Sequence, residues 1–245
     1  MIILDGRRLA DKILKRLKKE IEKKNLKLKL AVVLINNDLN SLIFVKQKEK
    51  ACKRIGIDFQ LFKFSSRISE SRLKEKIKEI NNNPSISGII VQLPLPNKFN
   101  VDNILDLISS QKDVEKISPV VRAIEYFLKE YKISLKKKKV VLIGGGRLVG
   151  EPVARWLESK KINFQKLFIK NKKTFIDADI IISGVGKKNL IKKEMVKRGV
   201  TIIDVGEDVD FKSVSLRAKY ISPVPGGVGP LTVACVLENL VRLNG

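Results

Sequence analysis

Ser41, Phe44, Lys48 and Cys52 recur three or four residues apart, a spacing that puts them on one face of a helix. Lys48 stands between Phe44 and Cys52 on an otherwise apolar stripe. An ammonium held there loses hydration, its pKa falls, and it can give or take a proton near neutrality. The same spacing also suits a lysine at the edge of the stripe, its stem packed and its head in water. Gln92 closes a buried-type strand expected over Gly88 to Gln92 and precedes Leu93-Pro94-Leu95-Pro96. An amide at the carboxyl end of a parallel strand lies where α/β sheets place their ligands, or is simply the first polar residue of a loop.

A second group of residues suits a nucleotide. The apolar run Val140 to Ile143 leads into Gly144, Gly145 and Gly146, then Gly150 and a helical pattern. Glycines there let the backbone approach a pyrophosphate, and the helix that follows offers unpaired N–H groups at the positive end of its dipole. The spacing is G-x-G-x-x-x-G, a variant of the usual dinucleotide fingerprint, and a tight strand-to-helix turn without ligand has the same glycines. An acidic residue about 20 positions on would hold the ribose of NAD. Here that stretch reads Lys170, Asn171, Lys172, Lys173, and cations such as Lys172 suit the 2′-phosphate of NADP, with NAD as the alternative.

Elements that could position these residues follow from the apolar periodicity. Leu9, Ile13, Leu14, Leu17 and Ile21 predict an amphipathic helix over residues 6–24. Strands are expected at 30–35, 58–64 and 88–92, with helices at 40–55, 69–82 and 101–110 between and after them. The pattern continues as a helix at 119–131, strands at 140–143, 166–169, 179–183 and 201–205, a helix at 149–159 and a last helix at 232–243. Such alternation predicts parallel β-α units, hence an α/β fold.

Composition bounds the chemistry. The 245 residues carry 50 Lys and Arg against 26 Asp and Glu, a net charge of +24, and no histidine. Imidazole catalysis and histidine-ligated metal sites are therefore excluded, and no metal is expected. Two cysteines, Cys52 and Cys235, are too few for a disulfide framework and read as packing residues of a reducing compartment. Charges at Asp5, Arg7 and Arg8 interrupt the start of the chain, and no apolar run reaches membrane-spanning length, so a cytoplasmic protein off the membrane is expected. The basic excess suits an anionic ligand or a lysine-rich solvated surface. Nucleic acid is not favoured, because aromatics are only 6% of the chain and no basic run is interleaved with them as a stacking platform requires.

Four segments together resemble the bifunctional methylenetetrahydrofolate dehydrogenase/cyclohydrolase family. They are Lys48-Glu49-Lys50-Ala51-Cys52, the run G-I-I-V-Q-L-P-L-P from Gly88 to Pro96, Val149-Gly150-Glu151-Pro152, and P-V-P-G-G-V-G-P-L-T from Pro223 to Thr232. The resemblance covers nearly the whole chain. It implies two α/β domains with the active cleft between them, the second a Rossmann-type dinucleotide-binding domain. The folate-binding part would comprise residues 1–118 plus 226–245, and the NADP-binding part residues 119–225. It further implies a homodimer paired through the Rossmann halves, oxidation of 5,10-methylenetetrahydrofolate with NADP, and hydrolysis of the methenyl product to 10-formyltetrahydrofolate.

Residue by residue, Lys48 falls on the family's catalytic lysine, Gln92 on the glutamine that positions it, and Glu115 on a folate-contacting carboxylate that is an aspartate in the family's K-D-V-D-G motif. Phe44 stands where the family has tyrosine. Pro225, Gly226 and Gly227 fall on the loop beside substrate and nicotinamide, as does Gly229 on the cofactor side, and Gly144, Gly145, Gly146 and Gly150 fall on the cofactor loop, with Lys172 a cofactor candidate by its charge and place alone. The three glycines replace a G-R-S, so two phosphate ligands are lost, with Arg147 next to them. A stretch between Glu115 and Ser118-Pro119 is missing, and the hairpin after Val205-Gly206 is cut short before Asp208-Val209-Asp210-Phe211. These losses leave two alternatives: a cyclohydrolase with a weakened or NAD-shifted dehydrogenase, and a catalytically degenerate relative binding an anionic partner or nucleic acid.

Overall fold

The structure is a computed structural model that describes residues 1–35, 38–168 and 177–245. In chain order its elements begin with β1 (Ile2–Ile3), α1 (Gly6–Lys24), β2 (Lys29–Leu34), α2 (Leu39–Ile55), β3 (Asp58–Lys63), α3 (Glu70–Asn82), β4 (Gly88–Val91) and α4 (Val101–Leu105). Then come α5 (Pro119–Glu130), β5 (Val140–Ile143), α6 (Gly150–Ser159), β6 (Phe164–Leu167), β7 (Ile180–Ser183), β8 (Val200–Asp204), α7 (Phe211–Val214), β9 (Ala218–Ile221) and α8 (Val228–Asn244). The alternation is the α/β pattern expected, with two wholly parallel sheets.

The chain divides into two compact units, Met1–Ala10 with Ser118–Thr232, and Asp11–Ile117 with Val233–Gly245. The second of these holds the sheet β3-β2-β4. Its centre, β2, is buried at every position from Leu30 to Leu34, as a parallel strand covered on both faces must be. Along α1 the expected apolar stripe holds: Ile13, Leu14, Leu17 and Ile21 are all buried, and burying each such side chain is worth roughly 1.5–3 kcal/mol. Helix α2 starts one residue before the expected cap Asn40, because the Asp38 carboxylate accepts the Ser41 N–H at 2.8 Å. It stops at Gly56, whose φ of 78° only glycine adopts at little cost.

The unit built from Met1–Ala10 and Ser118–Thr232 holds the six-stranded sheet β1-β9-β8-β7-β5-β6. Strands β5, β7 and β8 are buried throughout: β5 is wholly aliphatic, and β7 and β8 are mostly so, with Ser183, Thr201 and Asp204 as buried polar residues. The division differs from the expected boundaries at both junctions. Residues 1–10 belong with the six-stranded sheet, since β1 pairs with β9 through Ile2 with Tyr220 and Ile3 with Ile221. Residues 226–232 belong there too: the Gly226 carbonyl accepts the N–H groups of Gly6 and Arg7, both at 3.1 Å. Neither β1 nor β9 is expected from periodicity, being two and four residues long.

Candidate functional site

Lys48 points inward from α2 and is only 6% exposed. Its ammonium donates to Gln92 Oε1 at 2.7 Å. Gln92 follows directly on β4, and its Nε2 donates to the Leu93 carbonyl at 2.9 Å, which turns the amide oxygen toward the lysine. Phe44, one helical turn before Lys48, presents its ring 5.9 Å from Nζ and is 39% exposed. Of the two readings open for Lys48, the buried lysine on a fixed partner is the one realised.

Glu115, on a loop, lies near enough to Lys48 for the two charges to act on each other. The Ile89 N–H of β4 donates to the Lys112 carbonyl at 2.8 Å, and Asp113 Oδ1 accepts the Glu115 N–H at 2.9 Å, so the loop is tied to the sheet and folded on itself. Burial lowers the Lys48 pKa, and the charge of Glu115 opposes that shift. Burial raises that of Glu115, and the charge of Lys48 again opposes. Each group is thus drawn toward its neutral form, with the other's charge as the restraint. Such a pair can pass a proton to and from a bound molecule. Cys52, on the same face, is fully buried and its thiol is pushed up to about 12 by desolvation, an inert packing group.

The glycine loop lies in the other unit. Gly144 leaves β5 with φ of 104° and donates its N–H to the Leu167 carbonyl at 3.0 Å. A Cβ on Gly150 would sit 2.4 Å from the Gly144 carbonyl oxygen and 2.6 Å from the Gly145 Cα, so only glycine lets α6 begin this close to the loop. At Gly146 a Cβ would meet nothing within 4 Å, and Gly145 faces the Phe168 ring. Helix α6 begins without a side-chain cap. A glycine turn, buried at Gly144 and opening to solvent at Gly146, ahead of an uncapped helix N-terminus fits a dinucleotide pyrophosphate, with Gly150 as the close-packing glycine. Lys172 lies outside the described residues, as do Lys170 and Asn171.

Pro225, Gly226 and Gly227 form a turn just before α8, Gly226 at φ of 114° and the Gly227 N–H donating to the Pro223 carbonyl at 2.8 Å. A Cβ on Gly6 would fall 1.7 Å from the Gly227 carbonyl oxygen, so the start of α1 and this turn are in direct backbone contact. Gly229 is in the first turn of α8.

Sequence reasoning missed a buried network beyond β7 and β8. Asp208 accepts from Ser183 Oγ at 2.6 Å and from the N–H groups of Val185 and Lys187, both at 2.8 Å. Asp204 accepts the N–H groups of Gly206, Asp208 and Val209 at 3.0–3.1 Å. Burial nevertheless pushes the Asp204 carboxyl up to about 6. The network fixes the loop after β7, where Gly184 packs on Gly144 and Val149 of the glycine loop. Two acidic residues spaced four apart after a strand were the available signal.

Comparison with known proteins places these arrangements. Residues 4–115 match the model of the tetrahydrofolate dehydrogenase/cyclohydrolase catalytic domain, and residues 118–244 that of its NAD(P)-binding domain. The chain is 39% identical to the bifunctional protein FolD of Nautilia profundicola over 274 aligned positions, covering 99% of this chain and 96% of the relative. Against the crystal structure of the bifunctional methylenetetrahydrofolate dehydrogenase/cyclohydrolase of Campylobacter jejuni the TM-score is 0.90 at 36% identity, covering 100% of this chain and 98% of that one. Against the Trypanosoma brucei dehydrogenase-cyclohydrolase, complexed with NADP cofactor and inhibitor, it is 0.92 at 25% identity, covering 99% and 97%. Among the described residues no helix is long and apolar enough to cross a membrane.

Proposed function

The chain belongs to the tetrahydrofolate dehydrogenase/cyclohydrolase family, and we propose on that premise how its own residues carry the two reactions. It oxidises 5,10-methylenetetrahydrofolate to the methenyl form with NADP and hydrolyses the methenyl ring to 10-formyltetrahydrofolate. The observation that carries the hydrolytic half is the 2.7 Å hydrogen bond from buried Lys48 to Gln92.

In the hydrolysis, Lys48 in its amine form takes a proton from the water that attacks the methenyl carbon. The resulting ammonium donates to Gln92 Oε1 and returns a proton to the ring nitrogen as its bond to carbon breaks. Burial lowers the Lys48 pKa, which makes the amine form easier to reach for this role. Glu115 accepts from the pterin's amino and ring N–H groups, and its charge keeps Lys48 from losing its proton altogether. The Phe44 ring offers a partly exposed face for the substrate's aromatic portion, and Pro225, Gly226 and Gly227 supply a side-chain-poor turn.

When NADP is bound, the chemistry it supplies is acceptance of a hydride from the methylene carbon. The residues that would hold it are Gly144, Gly145, Gly146 and Gly150 at the pyrophosphate, with Lys172 toward the 2′-phosphate and Gly229 on the α8 side. Beyond orientation and exclusion of water, the oxidation asks little of the protein. An absorbance assay with methylenetetrahydrofolate and either NADP or NAD tests the reading. Reduction of NADP followed by loss of the methenyl band is expected, and reduction of neither cofactor would overturn the dehydrogenase half.

We also infer a homodimer in the cytoplasm. Strand β6 ends the order of the six-stranded sheet, which suits pairing through that half, and two buried free cysteines suit a reducing compartment. Sedimentation at micromolar concentration giving twice the chain mass of 27.7 kDa is the expected result.

A further inference from the structure

The loop that carries Glu115 is gripped from a side the mechanism has not used. Asn239, on α8, is 4% exposed, and its single Nδ2 donates to the Val114 carbonyl and to the Ile117 carbonyl, both at 2.8 Å. Those two carbonyls bracket Glu115. The other end of the same amide, Oδ1, is buried and has no partner among the described residues. A buried acceptor left unsatisfied is a cost that most native polar groups avoid. An apolar side chain would avoid it, so the residue is explained by its two donors.

The neighbours of Asn239 are arranged to let the loop come this close. Gly88, at the start of β4, has no Cβ, and one there would fall 2.5 Å from both Val114 Cγ1 and Leu240 Cδ1. Val114 is fully buried, so the residue before Glu115 is locked by packing while the residue itself stays available. On the other side of Asn239, Glu238 is hydrogen-bonded to Arg16 of α1, which fixes the turn of α8 that aims the amide. Three separate elements therefore converge on the Glu115 backbone: β4 through Ile89 and Lys112, the Asp113 side chain, and α8 through Asn239.

We propose that Asn239 is a positioning residue for the hydrolysis, setting the distance between the Glu115 carboxylate and Lys48 by clamping the carbonyls on either side of Glu115. The proposal rests on the reading of Glu115 and Lys48 given above. A two-point grip on consecutive turns of a loop fixes both its position and its rotation, and a displacement of about 1 Å in a catalytic constellation can cost on the order of 100-fold. The groups facing Glu115 are Lys48 from α2 and Asp113 from its own loop, and those facing Lys48 are Glu115 and Cys52.

The experiment compares wild type, Glu115→Gln, Asn239→Leu and the combination of the last two, each shown to fold by its urea midpoint. Asn239→Ser, short enough to leave room for water at the two carbonyls, serves if Asn239→Leu does not fold. The single Asn239 variant is expected to lower kcat for methenyltetrahydrofolate hydrolysis about 10- to 100-fold. It should also move the Lys48 limb of the pH profile to lower pH, the direction Glu115→Gln moves it, because the carboxylate's support for the ammonium is weakened in both. In the Glu115→Gln background the same Asn239 change should cost less than about twofold. An equal loss in both backgrounds, or an unmoved pH limb, would overturn the positioning role. If Glu115→Gln itself changes neither rate nor profile, the reading of Glu115 has failed instead, and the proposal falls with it.

Discussion

Replacing Gln92 by Met removes the acceptor of the Lys48 hydrogen bond while nearly keeping the side-chain volume. The bond is 2.7 Å long and made by an ammonium that is 6% exposed, so water cannot replace the lost oxygen without entering the site. Hydrogen bonds to charged groups contribute about 1.5–3 kcal/mol, which converts to a fall of about 10- to 150-fold in kcat for hydrolysis of methenyltetrahydrofolate. Lys48→Met, which removes the proton carrier itself, should cost on the order of 100- to 10,000-fold while folate binding remains measurable. The loss of methenyl absorbance reports both rates. If Gln92 works through Lys48, then in the Lys48→Met background Gln92→Met should cost less than about twofold. Since the amide oxygen favours the ammonium over the amine, Gln92→Met should also move the Lys48 limb of the pH profile to lower pH. Full additivity of the two substitutions would refute the coupling and leave Gln92 a contact of the substrate alone.

Phe44→Tyr restores the hydroxyl that the family's tyrosine carries and should raise or preserve turnover; a marked fall would mean the pocket is fitted to the bare ring. Gly150→Ala drives a methyl into the Gly144 carbonyl and the Gly145 Cα, so it should destabilise the fold by roughly 1–3 kcal/mol and raise KM for NADP, both refuted if chemical denaturation and cofactor titration match wild type. Asp204, 3% exposed, holds its proton up to about pH 6 in the folded protein against an ordinary 3.8. Its contribution to stability is therefore fully present below about pH 4 and lost as pH rises through 6, amounting to at most roughly 3 kcal/mol. Urea midpoints of wild type and Asp204→Asn should diverge across that window, and parallel curves would refute the assignment.

Much of the fold is legible in the sequence because it rests on local periodicity. The stripe Ile13, Leu14, Leu17 and Ile21 is a property of neighbours in sequence, and so are the apolar runs Val140 to Ile143 of β5 and Ile180 to Ile182 of β7. Lys48 on the inner face of α2 follows from the same arithmetic. What escapes depends on partners far along the chain. Strand β1 exists because β9 is beside it, and no pattern within Ile2-Ile3 says so. The meeting of Lys48 with Glu115 has no spacing rule behind it and is reached only through family resemblance. Asn239 and Asp208 escape because a polar residue in an apolar helix, or after a strand, reads locally as a surface position, whereas here each serves several backbone partners at once.

The docking of residues 1–10 with the six-stranded sheet has a consequence for how the protein is made. Ile2 and Ile3 leave the ribosome long before their hydrogen-bonding partners, Tyr220 and Ile221, have been synthesised. Until then three apolar side chains, Met1, Ile2 and Ile3, have no strand to join, in a segment exposed even in the finished protein. Likewise, the unit around Lys48 waits for Val233–Gly245. Contacts of such long sequence separation form late and slowly. Neither unit can therefore be completed while the middle of the chain is being translated, and a chain that stops short of Tyr220 lacks the closing piece of both.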